Sequence, residues 1–178
     1  MSTRLLTIGH STLSAKEFLN LLEKNGVHCL ADIRRFPGSR KFPHFSRDQL
    51  ERSLPHSGIE YRWLERLGGR RGKQQRTDSP NTALRNESFR NYADYMATPE
   101  FKAGIDQLLD LATIKPTACM CSEAVYWRCH RRLVSDYLVA NGFEVLHLMP
   151  TGRPRTHELT PGAVIKDGQV TYPAGKTQ

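Results

Sequence analysis

The sequence predicts an α/β fold: a single three-layer domain with a mostly parallel central sheet of about five strands, plus a C-terminal β-hairpin. Three observations predict it. Short apolar runs of strand length alternate along the chain with longer stretches of helical period. The 178 residues are enough to bury one full core. After Met149 the alternation stops, and an arm bearing prolines and glycines leads to a single turn signal between alternating residues.

Each element has its own local signature. Leu5-Leu6-Thr7-Ile8 reads as a first strand, stopped by Gly9. Ser14-Ala15-Lys16-Glu17 has the capping-box pattern, with Ser14 as N-cap and Glu17 reaching back. Phe18, Leu19, Leu21 and Leu22 then form a helical apolar face that ends at Gly26. Val27 to Ile33 is a second strand, and Arg34 to Phe45 a loop that turns at Pro37-Gly38. Ser46-Arg47-Asp48-Gln49 reads as a second capping box, opening a short helix that ends near Pro55 to Gly58. Ile59 to Trp63 alternates as a third strand.

Glu87 to Met96 is helical, with Phe89, Tyr92, Ala93 and Met96 at helix spacing. Thr98 caps the next helix and Pro99 takes its first position. Thr117 to Cys121 is strand four, Leu133 to Asn141 an amphipathic helix, and Phe143 to Leu148 strand five. Residues 1–150 thus form the α/β domain. Residues 151–178 form a C-terminal arm and a hairpin turning at Asp167-Gly168, too small to stand alone and therefore packed on the domain.

The bulk numbers narrow the function. A formal net charge of +8 favours an anionic partner, a nucleotide or nucleic acid. No apolar run approaches the roughly 20 residues of a membrane span, and the N-terminus shows no secretory apolar region, so the expected location is cytoplasmic. In a reducing compartment the four cysteines are expected as free thiols, Cys29 as a small core residue. No cofactor is implied. Cys119, Cys121, Cys129 and His130 offer possible ligands, but their spacing fits no zinc ribbon or finger, and no metal site is assigned.

In open parallel sheets ligands bind outside the carboxyl ends of the strands. Here those ends carry Gly9-His10-Ser11, Asp32-Ile33-Arg34-Arg35, Trp63, Cys121-Ser122-Glu123 and His147. The strand-to-helix turn from Cys121 to Arg132 packs a thiol, a carboxylate, an imidazole and several guanidiniums together. Such a turn collects negative charge and lowers the pKa of a nearby cysteine.

Cys121 reads as a nucleophile or redox thiol, against an inert half-buried thiol. Asp32 and Arg34, two apart on one strand face, read as an acid–base or orienting pair, against a salt bridge that ends the sheet. His10 is a ligand contact or a strand-end residue bonded to backbone. Glu123 is a proton donor, a partner of Arg128 or Arg131, or a helix-start acid. The segment from Arg62 to Arg76, with six basic residues, one acid and three glycines, reads as a mobile basic loop, either one that tracks phosphates and orders on binding or a solvated, disordered one.

Gly9-His10-Ser11, Asp32-Ile33-Arg34, Leu67-Gly68-Gly69-Arg70, Tyr92-Ala93-Asp94-Tyr95-Met96 and Cys121-Ser122-Glu123 with Cys129-His130-Arg131, in this order, resemble the domain of unknown function 488 family over roughly residues 4–150. The resemblance implies a small cytosolic α/β protein whose motif residues surround one pocket. By motif it carries over His10, Asp32, Arg34, Arg70, Cys121, Glu123, Cys129, His130 and Arg131; it supplies no reaction. The Ala-Val-Tyr-Trp-Arg stretch before Cys129 is bulkier than the family pattern. The turn also resembles the catalytic loop of cysteine phosphatases and rhodaneses. There five residues separate Cys and Arg, whereas six separate Cys121 from Arg128, with Glu123 inside.

The reading is therefore an enzyme acting on a nucleotide or nucleic-acid base. Cys121, Glu123, Asp32 and His10 are its catalytic candidates. Ser11, Arg34, Arg70, Arg71, Arg128, His130 and Arg131 would hold phosphate or substrate, and Trp63 or Trp127 would stack on a base. The alternative is a noncatalytic nucleic-acid-binding module using the basic segment 62–76.

Overall fold

The computed structural model describes residues 3–74 and 78–175. Five strands run parallel: β1 (Arg4–Gly9), β2 (Cys29–Asp32), β3 (Glu60–Trp63), β4 (Thr117–Cys121) and β5 (Glu144–His147). A sixth, β6 (Arg155–Thr156), pairs antiparallel with β5, and the sheet order is β3-β2-β4-β1-β5-β6. Among the described residues the helices are α1 (Ala15–Lys24), α2 (Arg47–Ser53), α3 (Glu87–Tyr95), α4 (Pro99–Ile114) and α5 (Arg131–Ala140). The hairpin β7 (Val164–Lys166) and β8 (Gln169–Thr171) follows. No helix among the described residues is long and apolar enough to cross a membrane.

Side-chain alternation along the strands sorts the core into two layers. Leu6 and Ile8 of β1, Leu30 of β2 and Ala118 and Met120 of β4 pack on Phe18 and Leu22 of α1 and Leu50 of α2. Leu5, Ala31, Cys119 and Val145 face the other way, onto α3, α4, α5 and the hairpin. The alternation continues past the strand ends, so successive motif residues leave the sheet toward opposite layers.

The capping signals hold at two of the three predicted starts. Ser14 and Glu17 form the reciprocal capping box of α1, and Thr98 accepts from Phe101 N at α4. Asn86 caps α3, a signal not read from the sequence. The second predicted capping box does not form. Ser46 closes a 3-10 turn over Pro43–Phe45 through its own N–H to Pro43 O, and Arg47 N, an early orphan donor of α2, goes to Pro37 O instead.

The arm after Met149 is more ordered than a linker. Through β6 it zips onto β5, and His157 N donates to Val145 O at 2.8 Å. The hairpin turns at Asp167-Gly168, as predicted, with both residues at positive φ. Val170 and Tyr172 enter the α3–α5 core, and Tyr172 bonds Asn81 and Ala83 through its backbone.

Candidate functional site: a cysteine pair beneath a cationic cleft

The carboxyl ends of the strands do converge. His10 N donates to Cys121 O and Ser11 N to Ser122 O, each at 3.0 Å, while Ile33 N donates to Met120 O at 3.0 Å. Above these tips lies a cleft of about 800 Å³. His10, Ser11 and Arg34 line it from the α1–α2 side, and Cys121, Cys129 and His130 from the α5 side. Arg35, Lys41, Arg70, Arg128 and Glu123 form its charged rim, and Phe36, Phe42, Phe89 and Tyr92 its aromatic wall.

Its floor is a sulfur pair. Cys121 and Cys129 are free thiols, 2 % and 6 % exposed, with their Sγ atoms 2.9 Å apart. Cys129 Sγ also accepts from Arg131 N at 3.2 Å and Arg131 Nε at 3.4 Å. Burial alone raises a thiol's pKa. At Cys129 that rise is outweighed by hydrogen bonds from Cys121 and His130 and by the His130 and Arg131 charges, which bring it well below the ordinary value. At Cys121 burial, reinforced by the negative charge of its neighbour, pushes the pKa well up. Of the two sulfurs, Cys129 is thus the more acidic. The sequence pointed to Cys121 as the reactive thiol, whereas the donors in the structure favour its partner. The reason is that the N–H donors at the start of α5 converge on Cys129. Burial pushes Cys119, inside its strand, up to about 12.

Arg131 is 1 % exposed and lies below the cleft. It donates to Thr7 Oγ1 at 3.1 Å and Glu123 O at 2.9 Å besides Cys129, so it is a scaffold for the thiolate rather than a phosphate ligand. Asp32 is fully buried beneath the cleft and does not line it. It binds Arg34 through both carboxylate oxygens, at 2.9 and 2.7 Å, takes Arg34 N at 3.0 Å and accepts from Tyr61 OH. Its geometry is that of the clamp that ends β2, with Arg34 tied onward to Phe45 O at 2.8 Å.

His10 stacks on Phe45 at 4.4 Å between centroids and bonds Ser11 O through Nδ1. Burial, then the Arg34 charge, brings its pKa down to about 4 against the Ser11 bond, so the ring is neutral at pH 7. With Nδ1–H donated, Nε2 is left as an acceptor at the cleft.

The glycines of the motifs are close-approach positions. A Cβ on Gly9 would sit 1.6 Å from Glu123 O, and one on Gly69 would sit 2.8 Å from His130 Nδ1. The turn after β4 therefore crosses directly over β1. Gly9→Ala is expected to push that turn away and cost about 3 kcal/mol, lowering Tm by roughly 10 °C. A melting curve unchanged from wild type would show that the crossing is not this tight.

The basic segment is largely folded. Arg62 lies in β3 and pairs with Glu60, residues 65–67 form a 3-10 turn, and Leu67 is buried. Tyr92 OH and Tyr95 OH clamp Leu67 O and Arg66 O at 2.7 and 2.6 Å, which gives the Tyr92–Met96 motif a scaffolding job. Arg71 is spent on Glu65 O and Gly68 O and lies over the Tyr95 ring. Of the segment's described cations only Arg70 lines the cleft; Gln75 and Arg76 lie outside the described residues.

Trp63 donates to Arg34 O beneath an Arg47 guanidinium, and Trp127 is exposed beside Tyr126; neither lines the cleft. His147 is buried away from it, between Thr7 and His157. Sequence reasoning missed Phe36 and Lys41, and placed Arg35 at a strand end without giving it a role. Their signal was the run that leaves β2, Arg34-Arg35-Phe36, with a guanidinium and a ring 66 % exposed. Among the described residues no three of His, Cys, Asp and Glu are placed to share a metal ion.

Fold and cleft together define an α/β protein with a buried cysteine pair at the carboxyl edge of a parallel sheet. The family model for the domain of unknown function DUF488 matches residues 14–138, and the chain belongs to that family. No curated protein and no solved structure matches it.

Proposed function

We propose that the protein is an enzyme that binds a nucleotide, free or as a base of a nucleic acid, in the cleft and acts on it through the Cys129 thiolate. The observation that carries this reading is a close pair of buried free cysteines lying beneath a cationic rim. Arg35, Lys41, Arg70 and Arg128 line the cleft with Glu123 as the one carboxylate, and none of the four cations is ion-paired among the described residues. Phosphate is the ligand group that such a rim favours. The volume of about 800 Å³ is that of a small-molecule site. The exposed Phe36 offers the face for a base. In this scheme Cys129 is the nucleophile, while His10 Nε2 and Glu123 accept and return protons at the rim.

The test is calorimetric titration at low salt with nucleosides and their phosphates. Phosphorylated ligands should bind and bare nucleosides should not. Arg35→Ala and Lys41→Ala should each weaken binding about tenfold. Cys129→Ser should keep binding and lose turnover. Equal affinity for nucleoside and nucleotide, or no effect of the rim charges, would remove the reading. The noncatalytic alternative is less supported, because Arg62 and Arg71 of the basic segment are spent on Glu60 and on backbone carbonyls, and of its described cations only Arg70 lines the cleft.

A further inference from the structure

We infer that Cys121 and Cys129 are a dithiol–disulfide couple that reduces a small hydroperoxide, with Cys129 as attacking and Cys121 as resolving sulfur. The inference deepens the reading of Cys129 as the nucleophile of the cleft, but needs no nucleotide. Four features carry it. The two sulfurs are 2.9 Å apart, and a disulfide needs about 2.05 Å. The closure is under an ångström at two sites, the end of β4 and the residue two before α5. Both sulfurs line the floor of an open cleft, yet each residue is almost wholly covered, so a small oxidant reaches them and a protein disulfide does not. The donors around the pair are unequal. Arg131 N and Nε both point at Cys129, whereas Cys121 has a neighbouring sulfur at 2.9 Å and a distant carbonyl, Glu123 O, at 3.8 Å. The remaining cysteines, Cys29 and Cys119, lie within strands in the core and do not line the cleft.

The steps balance. Cys129 S⁻ attacks the terminal oxygen of the hydroperoxide. An S–O bond forms, the O–O bond breaks, and the alkoxide leaves and takes a proton from water. Cys129 is now a sulfenic acid. Cys121 gives up its proton and attacks the Cys129 sulfur, and hydroxide leaves with that proton as water. The sulfur pair has lost two electrons and the peroxide has gained them. A small thiol resets the pair by exchange, ending as its own disulfide. While oxidised, the cleft has no thiolate, so the same step switches off the chemistry assigned to it.

The experiment uses the full reduced chain and one equivalent of a small alkyl hydroperoxide at neutral pH, followed by alkylation and peptide mapping. The expected product is a peptide pair linked through residues 121 and 129, with Cys29 and Cys119 still alkylated once the chain is unfolded. In Cys121→Ser the Cys129 sulfenic acid should accumulate and be trapped by a carbon nucleophile. In Cys129→Ser the rate should fall by about 30-fold or more, the ratio of full ionisation to the thiolate fraction of an ordinary thiol at pH 7. Recovery of both cysteines alkylated after oxidation of the wild-type chain would overturn the inference, and that arm depends on no variant folding. Nucleotide titration of the reduced chain separates the two ideas. Linkage without nucleotide binding removes the function proposed above and leaves the couple; nucleotide binding with both cysteines recovered does the reverse.

Discussion

Arg131→Met should cost the fold about 3–5 kcal/mol, the scale of stranding buried charged partners, and should return the Cys129 thiol toward its ordinary range. Methionine fills most of the space but supplies no donor. It takes the guanidinium donor from three acceptors at once: Thr7 Oγ1, Glu123 O and the Cys129 sulfur, which keeps only the backbone Arg131 N–H and Cys121. The first holds β1 and the second holds the turn after β4 against it. The third is the group whose negative charge needs a counter-charge in a site 6 % exposed. Arg131→Lys keeps the charge, but a single ammonium cannot span three acceptors in different directions, so it should fall between. Denaturant midpoints read the first effect, and the pH profile of thiol labelling reads the second. A labelling profile identical to wild type in a destabilised protein would confine Arg131 to a structural role and take away the electrostatic account of Cys129.

The sequence made the sheet legible because its signals are local: strand-length apolar runs, caps at Ser14 and Thr98, and the Asp167-Gly168 turn. It also made the location of the site legible, since a parallel sheet forces His10, Arg34 and Cys121 to one edge. What stayed hidden depends on parity and on distant partners. Asp32 shares a strand face with Leu30, in the α1–α2 layer, whereas Cys121 shares one with Cys119, in the α5 layer. Two residues at adjacent strand ends therefore face opposite layers, and only one of them reaches the cleft floor. The choice between Cys121 and Cys129 was equally hidden, because it turns on which of the two sulfurs the donors of the pair, of His130 and of Arg131 point at. The basic segment misled because composition counts charges, not what they are bonded to. Arg71 is spent on carbonyls, while Arg35 and Lys41, in the loop read only for its Pro37-Gly38 turn, face the cleft.

The protein should unfold on mild acidification, losing most of its stability between pH 6.5 and about 4. The cause is a set of buried imidazoles that the fold keeps neutral. The clearest is His147, fully buried in a chain of hydrogen bonds that ends on the Asp136 carboxylate, which only accepts and so orients the neutral rings behind it. Arg131 can only donate, and does so to Thr7 Oγ1. Thr7 then donates to His147 Nδ1 at 2.6 Å, His147 Nε2–H to His157 Nδ1 at 2.8 Å, and His157 Nε2–H to Asp136 Oδ1 at 2.7 Å. A second proton, on His147 Nδ1, would turn the Thr7 hydroxyl hydrogen away from the ring and break that donation, in a site closed to the water that would solvate the charge.

Burial, with the Arg131 charge, brings His147 down to about 3, and His10 stands at about 4. Both lie below the unfolded value of about 6.5. The unfolded chain thus takes up protons first, and stability that is full above pH 6.5 drains as pH falls toward the folded values. At about 1.4 kcal/mol per tenfold in proton affinity, His10 alone accounts for roughly 3 kcal/mol and His147 for at least as much, against a total of about 5–15 kcal/mol for an ordinary domain. Burial raises Asp136, but bonds from His157, Thr160 and Tyr172 outweigh it and hold its carboxyl below the usual range. Its share is therefore lost only below about pH 4, in the same direction. Denaturant midpoints measured from pH 7.5 to 4.5 should fall steeply, and His10→Gln should flatten the slope. A midpoint independent of pH over that range would mean that the imidazoles are charged in the native state, and nitrogen NMR showing a proton on His147 Nδ1 would reverse the direction of the chain.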